Sequence, residues 1–393
     1  MTWLKRGVLV SAVVGVGIYL GLVYVVQPKL EQSMNKVQSH APYAISQRAA
    51  ALHNSLRIVD FHCDSTLWAR DLTLESDYGH VDIPRLMAGN VSVQMFTAVT
   101  KSPKGQNYEA NTDSFDNITL LALAQLWPVS TWNSLTARAL YQADRLHGFA
   151  AKVPDRFRVV TTSRELAQLL ADREKTDPGS APVAGLLGIE GLHALDGKIE
   201  NIGRLYDAGY RMMGLHHFFD NKTGGSLHGV SEKGLTPFGR DVVRELDRRS
   251  IIIDLAHSSP RSVKDILDLT TRPCVVSHTG MFGHHSSPRN ISDDLMRRIA
   301  ARGGLIGIGY WDGAVGDIRP ANIVRAIAYA VDQVGEDHVC LGSDFDGTTT
   351  TAFDTSELAV LTREMLDQGF SVRQIRKIMG ENSIRFLLAN LPG

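Results

Sequence analysis

Cysteine is scarce in this chain. The 393 residues include three, Cys63, Cys274 and Cys340, too few and too scattered for a disulfide framework. Each sits within or at the end of an apolar run, so they read as small buried hydrophobes. A charge excess is lacking too: 41 basic residues face 42 acidic ones, for a formal net charge of −1. No long basic run or basic–aromatic stripe breaks that balance, which argues against a nucleic-acid partner. Internal repeats and low-complexity tracts do not stand out, which argues against a repeat architecture.

One long apolar run is present. Residues 7–26 (GVLVSAVVGVGIYLGLVYVV) carry no charge over twenty positions, enough for a helix to cross about 30 Å of hydrocarbon. Lys5 and Arg6 precede it, which favours a cytoplasmic N-terminus. No Ala-x-Ala-like cleavage site follows directly. Residues 1–28 therefore read as an uncleaved signal anchor, a single transmembrane helix. The body would lie outside the cytoplasm, on the periplasmic face of the inner membrane if the source is bacterial. Residues 29–56 are polar and helix-permissive and read as a stalk. A chain starting near Leu52 is accordingly expected to be soluble and fully active.

Beyond residue 56 the apolar runs form a series, at 57–61, 91–99, 183–189, 210–215, 251–255, 273–277, 304–310 and 339–342. Several are continuously apolar, as expected of parallel strands covered on both faces. Helical patterns lie between them, at 238–249, 260–269, 293–301, 321–334, 355–366 and 372–388. Thr236-Pro237 offers an N-cap with proline at the first helical position. Ser292 offers another before two acidic residues. This alternation predicts an α/β fold, a (β/α)8 TIM-type barrel over residues 57–393. The segment 101–161 exceeds an ordinary strand-to-helix connection and reads as a helical insertion.

The active site of such a barrel lies at the carboxyl ends of its strands. The first run closes on His62-Cys63-Asp64, and residues two apart on a strand share a face. His62 and Asp64 would thus point together, an imidazole and a carboxylate suited to a metal such as zinc. Other runs end in Glu190, His216-His217, Asp254 with His257, Ser277-His278, and Asp344 with Asp346. A carboxylate ending an apolar run is costly unless paired or metal-bound. Asp254 reads either as a partner orienting a ligand or as a satisfied core carboxylate, Asp346 as a loop-fixing group, and His193 and His216 as decoys. Arg289, taken alone, would be an ordinary surface arginine.

Taken in order, DFHCD, GIEG, LHHFFDN, IIIDLAHSS, VVSHTG, Arg289-Asn290, GSDFDG and GENSIRFL resemble the membrane (renal) dipeptidase family. These are zinc enzymes of the amidohydrolase-type barrel class. The resemblance spans about residues 58–388 and leaves out the first fifty. It implies two zinc ions per chain, one held by His62 and Asp64, the other by His257 and His278, with Glu190 bridging them. It further implies that His217 faces the substrate, that Arg289 pairs with the substrate carboxylate, and that Asp344 shuttles the proton. The implied activity is hydrolysis of dipeptides by a metal-bridging hydroxide. Two departures bear on substrate preference: Phe218-Phe219-Asp220 is bulkier than the stretch expected from the mammalian enzymes, and His284-His285 precedes Arg289. The residues alone also admit a two-metal amidohydrolase acting on another amide or lactam, or an inactive anchored binding protein. They leave open whether the body forms a homodimer.

Overall fold

The computed structural model describes residues 25–393 together with 13–15, 17, 19 and 21. Eight parallel strands form its centre: β1 (Ile58–Cys63), β2 (Val91–Val99), β3 (Val183–Glu190), β4 (Tyr210–Gly214), β5 (Ile252–Asp254), β6 (Val275–Thr279), β7 (Leu305–Ile308) and β8 (Val339–Leu341). Each pairs with the next, and the ring closes where Leu341 of β8 lies opposite Asp60 of β1. The expected TIM-type barrel is therefore present, with all eight strands where the apolar runs placed them. A further short strand, Phe157–Val159, pairs with Val183–Gly185 on the edge of β3 that β4 takes over from Leu187 onward. It had no counterpart among the expected runs, because its FRV is too short to show a pattern.

The strand pattern also sets the height of the site. On β3, Ala184, Leu186 and Glu190 alternate onto one face. The first two join an interior cluster with Val59, Met95 and Met212, which Phe386 and Leu387 of the last helix complete. Glu190 stands above that layer, at the carboxyl end of its strand. Outward-facing Leu187 and Ile189 pack instead into the larger layer between barrel and helices. Those helices start as their caps dictate: the Thr236 side chain accepts from the Gly239 N–H before Pro237–Arg248, and the Ser292 side chain accepts from the Leu295 N–H before Asp293–Ala300. All three cysteines are free and buried. The segment 101–161 carries the helices Asn117–Ala124 and Leu135–Lys152.

At the amino terminus the structure departs from the expected layout. Most of residues 7–26 lies outside the described residues, and among the described residues no helix is long and apolar enough to cross a membrane. Residues 29–56, expected to stand off as a stalk, run along the barrel. The helix Gln27–Met34 buries Glu31, Lys36–Val37 pairs with Thr350–Thr351, and the Tyr43 hydroxyl donates to the Ala352 carbonyl at 2.8 Å. The helix Gln47–Asn54 buries His53, which sits 2.9 Å from the Thr362 hydroxyl and 3.2 Å from the Gly89 carbonyl. Polar residues suggested a solvated linker, yet these groups find partners only on the body. A chain starting near Leu52 would lose the Glu31, Lys36–Val37 and Tyr43 contacts and most of the helix that carries His53.

His53 makes this docking sensitive to acid. Burial lowers its pKa from 6.5 to about 4, so the unfolded chain takes up a proton well before the folded one does. The stability this ring contributes is complete above pH 6.5 and is lost as the pH falls toward 4. At about 1.4 kcal/mol per unit the loss amounts to about 3 kcal/mol. Urea unfolding at pH 7 and pH 4.5 should show a steep acid penalty that His53→Gln reduces by about that amount; an unchanged penalty would place the acid sensitivity elsewhere.

Candidate active site

At the carboxyl mouth of the barrel four imidazoles converge on one carboxylate. Glu190 Oε1 lies 3.0 Å from His257 Nε2, 3.3 Å from His278 Nε2 and 3.7 Å from His62 Nε2. Its other oxygen lies 3.3 Å from His217 Nε2. Asp64 and Asp344 complete the group, their Oδ1 atoms 3.5 and 3.8 Å from His62 Nε2. Arg289, far from being a surface residue, is buried; its Nη2 donates to the His278 carbonyl at 3.1 Å and lies 3.3 Å from His257 Nε2. All eight residues expected at the site thus come together.

Backbone geometry brings them there. His257 and Asp344 both hold φ near +60°, in the left-handed region, as do Asp346 and Thr348. Such conformations cost on the order of 1–3 kcal/mol each in non-glycine residues and concentrate where function demands an unusual side-chain direction. The loop is stitched to β1, with Asp64 N–H donating to the Phe345 carbonyl at 2.9 Å and Ser343 Oγ to the His62 carbonyl at 2.9 Å. Gly347 is required for closeness, since a Cβ there would sit 2.1 Å from Asp344 Oδ1.

Beneath the cluster lies a support the sequence reading located only in part. Ser277 Oγ donates to Asp254 Oδ2 at 2.6 Å, and the Ser277 N–H donates to Oδ1 at 2.8 Å. With its proton committed, Ser277 Oγ can only accept from His62 Nδ1 at 3.1 Å and His278 Nδ1 at 2.9 Å. Both rings therefore carry a proton on Nδ1, and both can offer the Nε2 lone pair toward Glu190. Asp254 takes the first of its two expected roles, orienting ligands, but through Ser277. Thr97, on β2, donates to Asp64 Oδ1 at 2.6 Å and was also not foreseen. Neither residue has a sequence signal of its own, because a serine or threonine in a strand is ordinary.

The remaining candidates separate cleanly. His216 is tied to Ser258 Oγ at 3.0 Å and faces Thr223, a structural arrangement. His193 packs against Phe219, 4.9 Å between ring centres, and belongs to none of the metal-capable groups. Asp346 fixes its loop, accepting from Ser65 Oγ at 2.6 Å and the His80 N–H at 2.6 Å. His284 and His285 lie half-buried in their loop, outside the cluster. Phe218 stacks on His228, 4.8 Å away, and packs against His257, while the Asp220 carboxylate accepts from the Ser226, Val230 and Ser231 N–H groups. His228, Tyr108 and Trp311 are further neighbours that the sequence did not mark. The Trp311 ring lies under the Arg289 guanidinium at 5.2 Å and donates to the Tyr108 hydroxyl at 2.9 Å.

Three carboxylates share this buried space, against which Arg289 supplies a permanent positive charge. Burial, with the Asp64 charge adding to it, pushes Glu190 well above the usual carboxylate range. Burial, again reinforced by Asp64, lifts Asp344 to about 7, although His62 opposes the shift. Burial works against His62 as a cation, yet Glu190 and Asp64 outweigh it and hold the ring up at about 10, so its Nε2 lone pair is free only when another cation takes that proton's place. A site that gathers this much negative charge away from water calls for cations. Two sets of donor atoms within 4.8 Å of one another, His62/Asp64/Glu190 and Glu190/His217/His257, share Glu190. Imidazole and carboxylate are the donors a borderline divalent metal prefers, so the residues fit a metal centre. A third set, His62/Asp254/His278, is already bridged by Ser277.

A parallel barrel with imidazoles and carboxylates converging at its carboxyl mouth defines a metal-dependent hydrolase of the barrel class. The chain belongs to the membrane dipeptidase family, peptidase family M19, which matches residues 46–390; it is a metallo-dipeptidase by family. An uncharacterized dipeptidase of Schizosaccharomyces pombe is 27% identical over 347 residues, 84% of this chain and 79% of that protein. The dipeptidase tcpJ of Claviceps purpurea is 29% identical over 327 residues, 79% of this chain and 69% of its own. Among solved structures, the family M19 metallopeptidase dipeptidase AC superposes with a TM-score of 0.70 at 24% identity, covering 86% of this chain and 99% of its own. A metallopeptidase from Rhodobacter sphaeroides, liganded with a phosphinate mimic of the dipeptide L-Ala-D-Ala, gives 0.69 at 23%, covering 86% and 99%. At these identities the structural likeness speaks for the fold.

Ser277 provides a direct check on the metal-centre geometry. Ser277→Ala leaves His62 and His278 free to take the other tautomer, and disrupting such support typically costs 10- to 100-fold in metal affinity. A competitive chelator titration should show a loss of about that size with the fold retained; unchanged affinity would mean that Ser277 does not set the tautomers.

Proposed function

We propose that the protein is a membrane-anchored zinc dipeptidase, with two Zn2+ per chain, hydrolysing the peptide bond of dipeptides. The observation that carries this reading is Glu190, placed between four imidazoles in the same cavity that Arg289 faces. His62 and Asp64 would hold one ion, His257 and His278 the other, and Glu190 would serve both. When bound, such a pair of ions supplies an activated water near neutral pH and positive charge for an oxyanion. The chain's own groups do the rest. Asp344, whose Oδ1 lies 3.8 Å from His62 Nε2, can accept the water proton and return it to the leaving amine. His217 Nε2 points into the site and can donate to the developing oxyanion. Arg289, held against Trp311, presents its guanidinium to a free carboxylate, which limits the substrate to a short peptide.

Elemental analysis should find two zinc ions per chain, and L,L- and L,D-dipeptides should release amine. Arg289→Lys isolates the carboxylate contact, since lysine cannot reproduce a bidentate pair. Loss of a charge-assisted pair worth about 1.5–3 kcal/mol implies a fall of about 10- to 150-fold for the dipeptide acid. The corresponding amide should be a poor substrate from the start and lose little more. Equal losses on acid and amide would favour a broader amidohydrolase acting on another amide or a lactam.

Anchoring rests on residues 7–26, whose uncharged run suits a spanning helix, with the catalytic body outside the cytoplasm. The full-length chain should stay with membranes through a carbonate wash; release by salt alone would count against a spanning segment.

A further inference from the structure

The helix Gln27–Met34, which follows directly on the expected anchor, reaches the active-site cavity. Leu30 and Met34 line that cavity, of about 700 Å3, together with Leu67, Trp68, Ile118 and Leu121, while Glu190, His217 and Arg289 line it elsewhere. Leu30 and Met34 remain 39% and 38% exposed, whereas the neighbouring Leu67 and Trp68 are buried. The wall therefore has apolar surface still facing water, at a site large enough for a bulky ligand.

The helix is held firmly in that place. Glu31, 2% exposed, pairs with Arg70 Nε, and Arg70 Nη2 donates to Asp346 Oδ2 at 2.7 Å. Asp346 belongs to the loop that carries Asp344. Just beyond the helix, the Thr348 N–H donates to Asn35 Oδ1 at 2.8 Å, and the Lys36 N–H donates to the Thr349 carbonyl at 3.1 Å. At the other end, Gln27 Nε2 donates to the Ala124 carbonyl at 2.6 Å, joining this helix to the insertion helix Asn117–Ala124. A segment built only as a tether would not need a buried ion pair aimed at the catalytic loop.

We propose that the helix Gln27–Met34 is a specificity wall of the active site, its Leu30 and Met34 selecting dipeptides that carry at least one bulky apolar side chain. The inference rests on the dipeptidase reading and names the substrate class within it. Polar ends of the substrate meet the metal centre and Arg289, and the side chain covers the exposed part of the wall. Contacts of one or a few methylenes discriminate by about 10- to 200-fold, so the effect should be visible in kcat/KM.

The test uses the full-length protein in detergent and compares Ala-Ala, Leu-Leu and Phe-Leu. The wild type should favour the bulky substrates over Ala-Ala by at least about 10-fold, and the double variant Leu30→Ser, Met34→Ser should lose most of that ratio. Met34→Trp, which adds bulk at the same place, should depress Phe-Leu turnover more than Ala-Ala turnover. A selectivity ratio unchanged in both variants would overturn the wall while leaving the dipeptidase reading intact. Absence of turnover on every dipeptide by the wild type would overturn the dipeptidase reading, and this inference with it.

Discussion

Glu190 is the point on which the mouth of the barrel depends. A carboxylate that ends a buried strand cannot be left without compensation, and two more, Asp64 and Asp344, share its space. Imidazoles from four strand ends and one guanidinium are gathered around them, and metal ions would complete the balance. Strain is accepted for this arrangement, since His257 and Asp344 both sit in the left-handed region. Such strain persists only where surrounding contacts over-determine the backbone. Here they do: the Asp344 loop is bonded to β1 below, to Arg70 and His80 at its side, and to Asn35 and Lys36 at its edge.

The second layer is as specific as the first. One serine hydroxyl, oriented by Asp254, sets the tautomer of two candidate ligands whose rings lie 3.8 Å apart. That economy makes Ser277 and Asp254 a unit, because loss of either leaves the other without its partner. Thr97 plays a comparable part for Asp64. Precision of ligand direction thus comes from strands β1, β2, β5 and β6, whose hydrogen-bonded backbones move less than the loops above them.

Functional differences within such a family are more naturally carried by the loops. In this chain the rim is built from two segments outside the barrel repeat, the helix Gln27–Met34 and the insertion helix Asn117–Ala124. Both present leucine or methionine toward the cavity, beside the bulky Phe218. The centre can then be common to a family while the rim sets what each member admits.

The barrel itself was legible in the sequence, strand by strand, because continuous apolar runs and capped amphipathic helices report burial on both faces of a parallel sheet. Seven of the eight site residues were legible for the same reason, since polar ligand types ending apolar runs stand out against their surroundings; Arg289 had no such signal and came only through the family resemblance. Other features had no such contrast. Phe157–Val159 is too short to show a period, and Ser277 and Thr97 look like any small polar residue in a strand. The polar stretch 29–56 resembled a linker because its partners, Arg70, Thr362 and the loop 348–351, lie far away along the chain. Local pattern therefore determined the elements and the kinds of ligand. Tertiary structure alone decided which hydroxyl orients them, and that a segment read as a tether becomes a wall of the site, because both depend on contacts between residues from some 20 to more than 300 positions apart.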